Sequence, residues 1–239
     1  MQAIETVLFD FGGTLDSDGV AWKERFHALY RSEALDLSAD AFAPAFHAAD
    51  DALVGALAPA TGLEETVGAL TTNLEAELAR RGGGTSEREI DGDRGRRVAS
   101  RFLSEMSAAF ARNRPVLEAL SERYRLGVVS NFYGNLEGAC ESSGLAPLFG
   151  AMADSQRVGA EKPDPAIFQA ALTALHAAPE TSVMVGDSLR RDYEGARRSG
   201  MRFIWIAPEG VQAAERDGAG NRSVLAAVTE LPDLLDILT

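Results

Sequence analysis

Short, continuous apolar runs that each stop at a polar residue constrain this chain more than any other feature. Thr6-Val7-Leu8-Phe9, Leu126-Gly127-Val128-Val129, Ser182-Val183-Met184-Val185 and Arg202-Phe203-Ile204-Trp205-Ile206 have no alternation between apolar and polar residues. That is the pattern of parallel strands buried on both faces. Ala151-Met152-Ala153 and Leu225-Ala226-Ala227-Val228 are weaker examples. Between them lie helical patterns over Pro115 to Tyr124, Pro165 to His176 and Asp192 to Ser199, each followed by glycine or a turn residue. Strands alternating with helical crossovers predict an α/β fold with a doubly wound parallel sheet. In such sheets ligands sit beyond the carboxyl ends of the strands, which is where Asp10, Ser130 and Asp187 fall.

From about Ser17 to Asn113 the rhythm changes to helices alone. Trp22, Phe26, Leu29 and Tyr30 share one face at helical spacing, and the pattern repeats over Leu63 to Leu78 and Val98 to Phe110. The organisation expected is therefore a core of residues 1–16 and 114–239 with an all-helical insertion at 17–113. Trp22, Phe26 and Tyr30 are expected in the insertion's own core, with the lining of a substrate pocket as the alternative, and Arg80 to Arg97, with Gly82-Gly83-Gly84, as a mobile loop.

At 239 residues and 46% apolar content the chain can bury a substantial interior. Its formal charge of −13 opposes a nucleic-acid or anionic-membrane partner, while leaving room for a small anion at a local site. Cys140 is the single cysteine, so no internal disulfide forms. No apolar stretch approaches a membrane span and no secretory leader pattern opens the chain, so a cytoplasmic protein is expected. Neither composition nor motif chooses between a monomer and a homodimer.

The polar groups that close the strands make one chemical set. Asp10 enters a Gly12-Gly13-Thr14 turn, where the backbone can approach a ligand closely and aim amides at an anion. A carboxylate there can attack phosphorus and form an aspartyl-phosphate. Asp187 and Asp192, with Asp10, form a carboxylate cluster suited to Mg2+. Ser130 offers a hydroxyl and Asn131 an amide to a phosphoryl oxygen. Lys162 offers a compact positive charge, and it is one of only two lysines, with Lys23.

Taken in order, Asp10-Phe11-Gly12-Gly13-Thr14-Leu15, Val128-Val129-Ser130-Asn131, Lys162-Pro163 and Gly186-Asp187-Ser188 through Asp192 resemble the four motifs of the haloacid dehalogenase superfamily. The resemblance implies a Rossmann-like core, with the helical insertion as an alpha-helical (type C1) cap. It implies a Mg2+-dependent hydrolase, phosphatase-like, acting on a small phosphorylated metabolite. Asp10 is then nucleophile and metal ligand, with the Gly12 carbonyl, Asp187 and Asp192 completing the metal set. Gly13, Thr14, Ser130, Asn131 and Lys162 hold the phosphate, Thr14 also bracing the first loop by a hydrogen bond.

One position departs from the family's phosphatases. Where they carry a second aspartate two residues after the nucleophile, as acid and base for the leaving group and the water, this chain has Gly12. Asp16 and Asp18 could substitute, though both are expected as a polar hinge into the helices. Alternatively, the leaving group needs no proton, as in acyl or aryl phosphates. A further reading is a catalytically impaired protein that binds a phosphorylated ligand as sensor or partner. Haloacid dehalogenases and phosphonate hydrolases also lack the second aspartate. The fourth motif here is the magnesium-binding type, however, and only Lys23 is at hand for a Schiff base.

Overall fold

The computed structural model describes residues 3–81, 92–208, 210 and 224–238. All six apolar runs become strands of one parallel sheet: β1 (Thr6–Phe9), β2 (Arg125–Ser130), β3 (Ala151–Asp154), β4 (Ser182–Gly186), β5 (Arg202–Ile206) and β6 (Val224–Val228). Their order is β3-β2-β1-β4-β5-β6, so the chain winds outward in both directions from β1. Phe9 pairs with Val128 on one side and Val185 on the other. The register therefore sets Asp10 beside Gly186, with Ser130 and Asp187 at the same rim, at the point where the strand order reverses.

The sheet is buried on both faces because its strands carry runs of consecutive apolar residues. Val7, Phe9, Val128, Val183 and Val185 point into one core and Leu8, Val129, Met184 and Phe203 into the other. Each such side chain contributes about 1.5–3 kcal/mol on leaving water. The second core is closed by α7 (Pro165–Ala174) through Ile167, Phe168 and Leu172. Asp164 starts α7 by accepting from Ala166 N at 2.9 Å, with Pro165 at the first helical position, where its missing N–H costs nothing.

The first core continues without a break into the helical segment. This comprises α1 (Trp22–Ser32), α2 (Ala39–Asp51), α3 (Leu63–Arg81) and α4 (Gly92–Ser121). Phe26 and Tyr30 are fully buried there, Phe26 stacked on Phe102 with ring centroids 4.2 Å apart. Two boundaries differ from expectation. Of the loop expected over Arg80 to Arg97, residues 80–81 complete α3 and 92–97 begin α4, while 82–91 lie outside the described residues. The patterns over Val98 to Phe110 and Pro115 onward are one helix, continuous through Pro115. Proline removes one helical donor, but packing on both sides maintains the axis: Val98, Phe102 and Met106 are buried before it, Val116, Leu117 and Leu120 after it. Three short helices complete the framework near the site: α5 (Leu136–Ser142), α6 (Ser155–Val158) and α8 (Glu194–Arg198).

Candidate active site

Asp10 leaves β1 in extended conformation, its amide donating to Val185 O at 2.9 Å. One carboxylate oxygen, Oδ1, is fully engaged: it accepts from Phe11 N at 2.7 Å and Ser130 Oγ at 2.9 Å, and meets Lys162 Nζ at 2.7 Å. The other, Oδ2, makes no hydrogen bond among the described residues, and Asp10 lines a cavity of about 510 Å³. One oxygen is thus oriented and the other left nucleophilic.

Lys162 is 4% exposed and also meets Asp192 Oδ1 at 2.6 Å. Burial pulls its ammonium down, but the carboxylates of Asp10 and Asp192 outweigh that and raise it, so it stays charged. Asn131 clasps the lysine's backbone, accepting from Lys162 N at 2.7 Å and donating to Lys162 O at 3.3 Å. The Asn131 side chain is thus a positioning group for Lys162, a contact that sequence separation concealed.

Asp10, Asp187 and Asp192 each offer an oxygen within 4.8 Å of the others, and no other such cluster of potential metal ligands occurs among the described residues. Burial, then the charges of Asp10 and Asp192, hold the Asp187 carboxyl well above the usual carboxylate range. Burial pushes Asp192 up to about 6 against the pull of Lys162, with Asp10 adding to the rise. Hard oxygen donors gathered this closely, with Asp187 and Asp192 both raised, fit a divalent cation, which would relieve the repulsion. Both Asp192 oxygens have partners, Lys162 Nζ and Ser188 N at 3.0 Å, so its first role here is to hold the lysine. Gly13 allows the cluster to close over it. Its φ is +91°, and a Cβ there would lie 2.6 Å from Asp187 Oδ2.

Gly12 has an ordinary φ of −78°, so its backbone does not demand glycine. Its neighbour crowds it: a Cβ would lie 3.1 Å from Trp22 Nε1, so the indole would have to give by a few tenths of an ångström. The indole occupies the space into which an acid at position 12 would extend. Trp22 was expected first as helical core, with the lining of a substrate pocket as the alternative; it is buried and also lines the cavity. It is fixed by donating to Asp16 Oδ2 at 2.7 Å. Asp16 is 1% exposed and also accepts from Gly13 N at 2.7 Å and Arg25 Nη1 at 2.8 Å. Burial raises its pKa despite Arg25, yet both oxygens are committed, and Asp18 pairs with Arg112 at 2.6 Å. Both therefore tie the segment after β1 to the helices, Asp16 to α1 and Asp18 to α4. Among the described residues the buried Thr14 Oγ1 finds no hydrogen-bond partner, in place of the brace expected from it, and neither Thr14 nor Gly13 lines the cavity.

The far wall comes from the helices and the loop after β2. Lys23, Glu24, Phe46, His47 and Asp50 face Phe132, Tyr133 and Arg191. Tyr133 donates to Asp50 Oδ1 at 2.5 Å, tying α2 to the loop after β2.

The sequence profile of haloacid dehalogenase-like hydrolases matches residues 4–200. The human haloacid dehalogenase-like hydrolase domain-containing protein 3 is 36% identical over 122 residues, 51% of this chain and 49% of that protein. A phosphoserine phosphatase of Thermus thermophilus is 45% identical over 64 residues, 27% of this chain and 26% of that one. The chain spans about half or less of the length of these curated relatives. In three dimensions it is similar to a magnesium-bound HAD-hydrolase of Bacillus subtilis, with TM-score 0.58, 20% identity and 99% of each chain covered, a likeness of fold.

Proposed function

Since the chain belongs to the haloacid dehalogenase-like hydrolases, we propose that it is a Mg2+-dependent phosphatase acting on a small phosphorylated metabolite through an aspartyl-phosphate on Asp10. The observation that carries this reading is the split of Asp10, with Oδ1 held by Phe11 N, Ser130 and Lys162, and Oδ2 unengaged at the cavity. The phosphatase name of the Thermus relative agrees with it. So does the Asp187 and Asp192 arrangement, which serves a cation and lysine rather than a halide.

In this reading Oδ2 attacks phosphorus while Oδ1 keeps its three donors, so the carboxylate needs no reorientation. Lys162, desolvated, lowers the electrostatic cost of bringing an anionic phosphoryl group against Asp10. Ser130, 3% exposed, fixes the nucleophile's rotamer and lies at the rim where a phosphoryl oxygen arrives. Asp10 and Asp187, with the Gly12 carbonyl, would hold the magnesium, and Asp192 supports it through charge. When bound, that ion neutralises carboxylate and phosphoryl charge. The helices of residues 17–113 cover the crevice as a cap.

The test is hydrolysis of p-nitrophenyl phosphate with Mg2+, with EDTA, and by Asp10→Asn. Chelation removes the activity, and Asp10→Asn lowers it by at least on the order of 10³-fold with an unchanged circular dichroism spectrum. Equal activity of the variant overturns the reading. Ligand binding without turnover would assign a sensing role instead.

A further inference from the structure

At the phosphorus end Asp10 Oδ1 is held by Ser130 and Lys162, but no described residue is placed to protonate the departing oxygen. We propose that this site is built for phosphoryl groups on an oxygen that leaves as an anion, with aryl phosphates as the substrate class. The inference rests on the phosphatase reading above and narrows it.

Two independent observations carry it. The first is that, among the described residues, none is placed to give a proton to the departing oxygen. At position 12 there is no side chain, and the space belongs to the Trp22 indole, 3.1 Å from where a Cβ would stand. Both Asp16 oxygens are consumed by Gly13, Trp22 and Arg25, and Asp18 is tied to Arg112. Among the described residues, Asp187 of the cavity belongs to the carboxylate cluster with Asp10, and the other titratable groups sit on the far wall. Glu24 pairs with Lys23 at 3.3 Å, Asp50 is bound by Tyr133, and His47 is exposed. None of them bonds to Asp10, Ser130 or Lys162. The second observation is the aromatic lining. Trp22, Phe132 and Tyr133 form a contiguous wall, with ring centroids 6.1 Å apart between Trp22 and Phe132 and 4.9 Å between Phe132 and Tyr133. A cavity of about 510 Å³ accepts a single ring beside a phosphoryl group.

The chemistry links the two. Asp10 Oδ2 forms a bond to phosphorus as the phosphorus–oxygen bond to the leaving group breaks, and the electron pair departs with that oxygen. A phenol has a pKa of about 10, against about 15.7 for water, so a phenolate leaves unprotonated far more readily than an alkoxide. In the second half, water attacks phosphorus, its proton passes to solvent or to a phosphate oxygen, and the Asp10 carboxylate is regenerated. No described residue is placed as a base for that step either. The step therefore limits turnover and is common to all substrates, which places leaving-group dependence in kcat/KM and not in kcat.

The experiment uses the full chain with Mg2+ on glycerol 3-phosphate, acetyl phosphate and a series of substituted phenyl phosphates, followed in steady state and by stopped flow. The aryl phosphates exceed glycerol 3-phosphate in kcat/KM by at least about 10²-fold. Nitrophenolate appears in a burst of about one equivalent per active site, and kcat is the same across the phenyl series. Phe132→Leu raises KM for phenyl phosphates, relative to that for acetyl phosphate, by about three- to tenfold. Equal kcat/KM for alkyl and aryl phosphates overturns the inference while leaving the phosphatase standing. A preference for acetyl phosphate with no Phe132 effect overturns the aryl assignment. Failure of every phosphate to turn over removes the phosphatase reading, and this inference with it.

Discussion

Three neighbouring residues show how much one side chain can redirect a site. Gly12 leaves a space, Trp22 fills it, and Asp16 holds Trp22 in place through a 2.7 Å hydrogen bond. Arg25 supports the arrangement from behind, its guanidinium 2.8 Å from Asp16 and 4.1 Å from the Phe102 ring centroid. Restoring an acid by Gly12→Asp meets an allowed backbone but a crowded neighbour. The expected outcome is faster breakdown of the aspartyl-phosphate by about 10-fold or more, seen as a smaller burst and a higher kcat. Alongside it, Tm falls because the indole must shift by a few tenths of an ångström. Unchanged burst kinetics in the folded variant would show that proton transfer does not limit this protein.

At the level of elements, α4 connects the helical segment to the sheet. Its first half packs with α1 and α3, and its second half places Val116, Leu117 and Leu120 against the core. Midway along it, buried Asn113 donates to Leu15 O at 3.0 Å, joining the helix to the loop that carries Asp10. Asn113→Ala leaves that buried carbonyl unpaired and costs about 1–3 kcal/mol. Thermal denaturation should register this as a fall in Tm of several degrees. A second joint is the clasp of Asn131 on Lys162, which links the ends of β2 and the segment before α7. The helical periodicities were readable in the sequence, but their merger through Pro115 was not, because proline normally ends a helix and only packing on both sides overrides it.

Across the whole molecule, the cysteine reports on opening. Cys140 is completely buried in α5, where burial, with a smaller push from Glu137, raises its thiol to about 12. The native protein should therefore resist a thiol reagent at pH 8 and react only as it unfolds. Magnesium, by binding the folded state alone, should slow labelling in proportion to 1 + [Mg2+]/Kd, and Asp187→Asn should abolish that protection. Labelling indifferent to magnesium would remove the metal from this reading without recourse to any activity. The six strands, the positions of Asp10, Ser130, Lys162, Asp187 and Asp192, and the absence of an acid at residue 12 could all be read in the sequence. Burial of a strand on both faces and the chemistry at its end are encoded within a few consecutive residues. Only the tertiary structure decided that Trp22 takes the vacant space, that Asp16 is committed to Arg25 and Trp22, and that Asn131 serves Lys162. Those relations join side chains on different elements, and the spacing of residues along a chain does not specify which side chains meet when the elements pack.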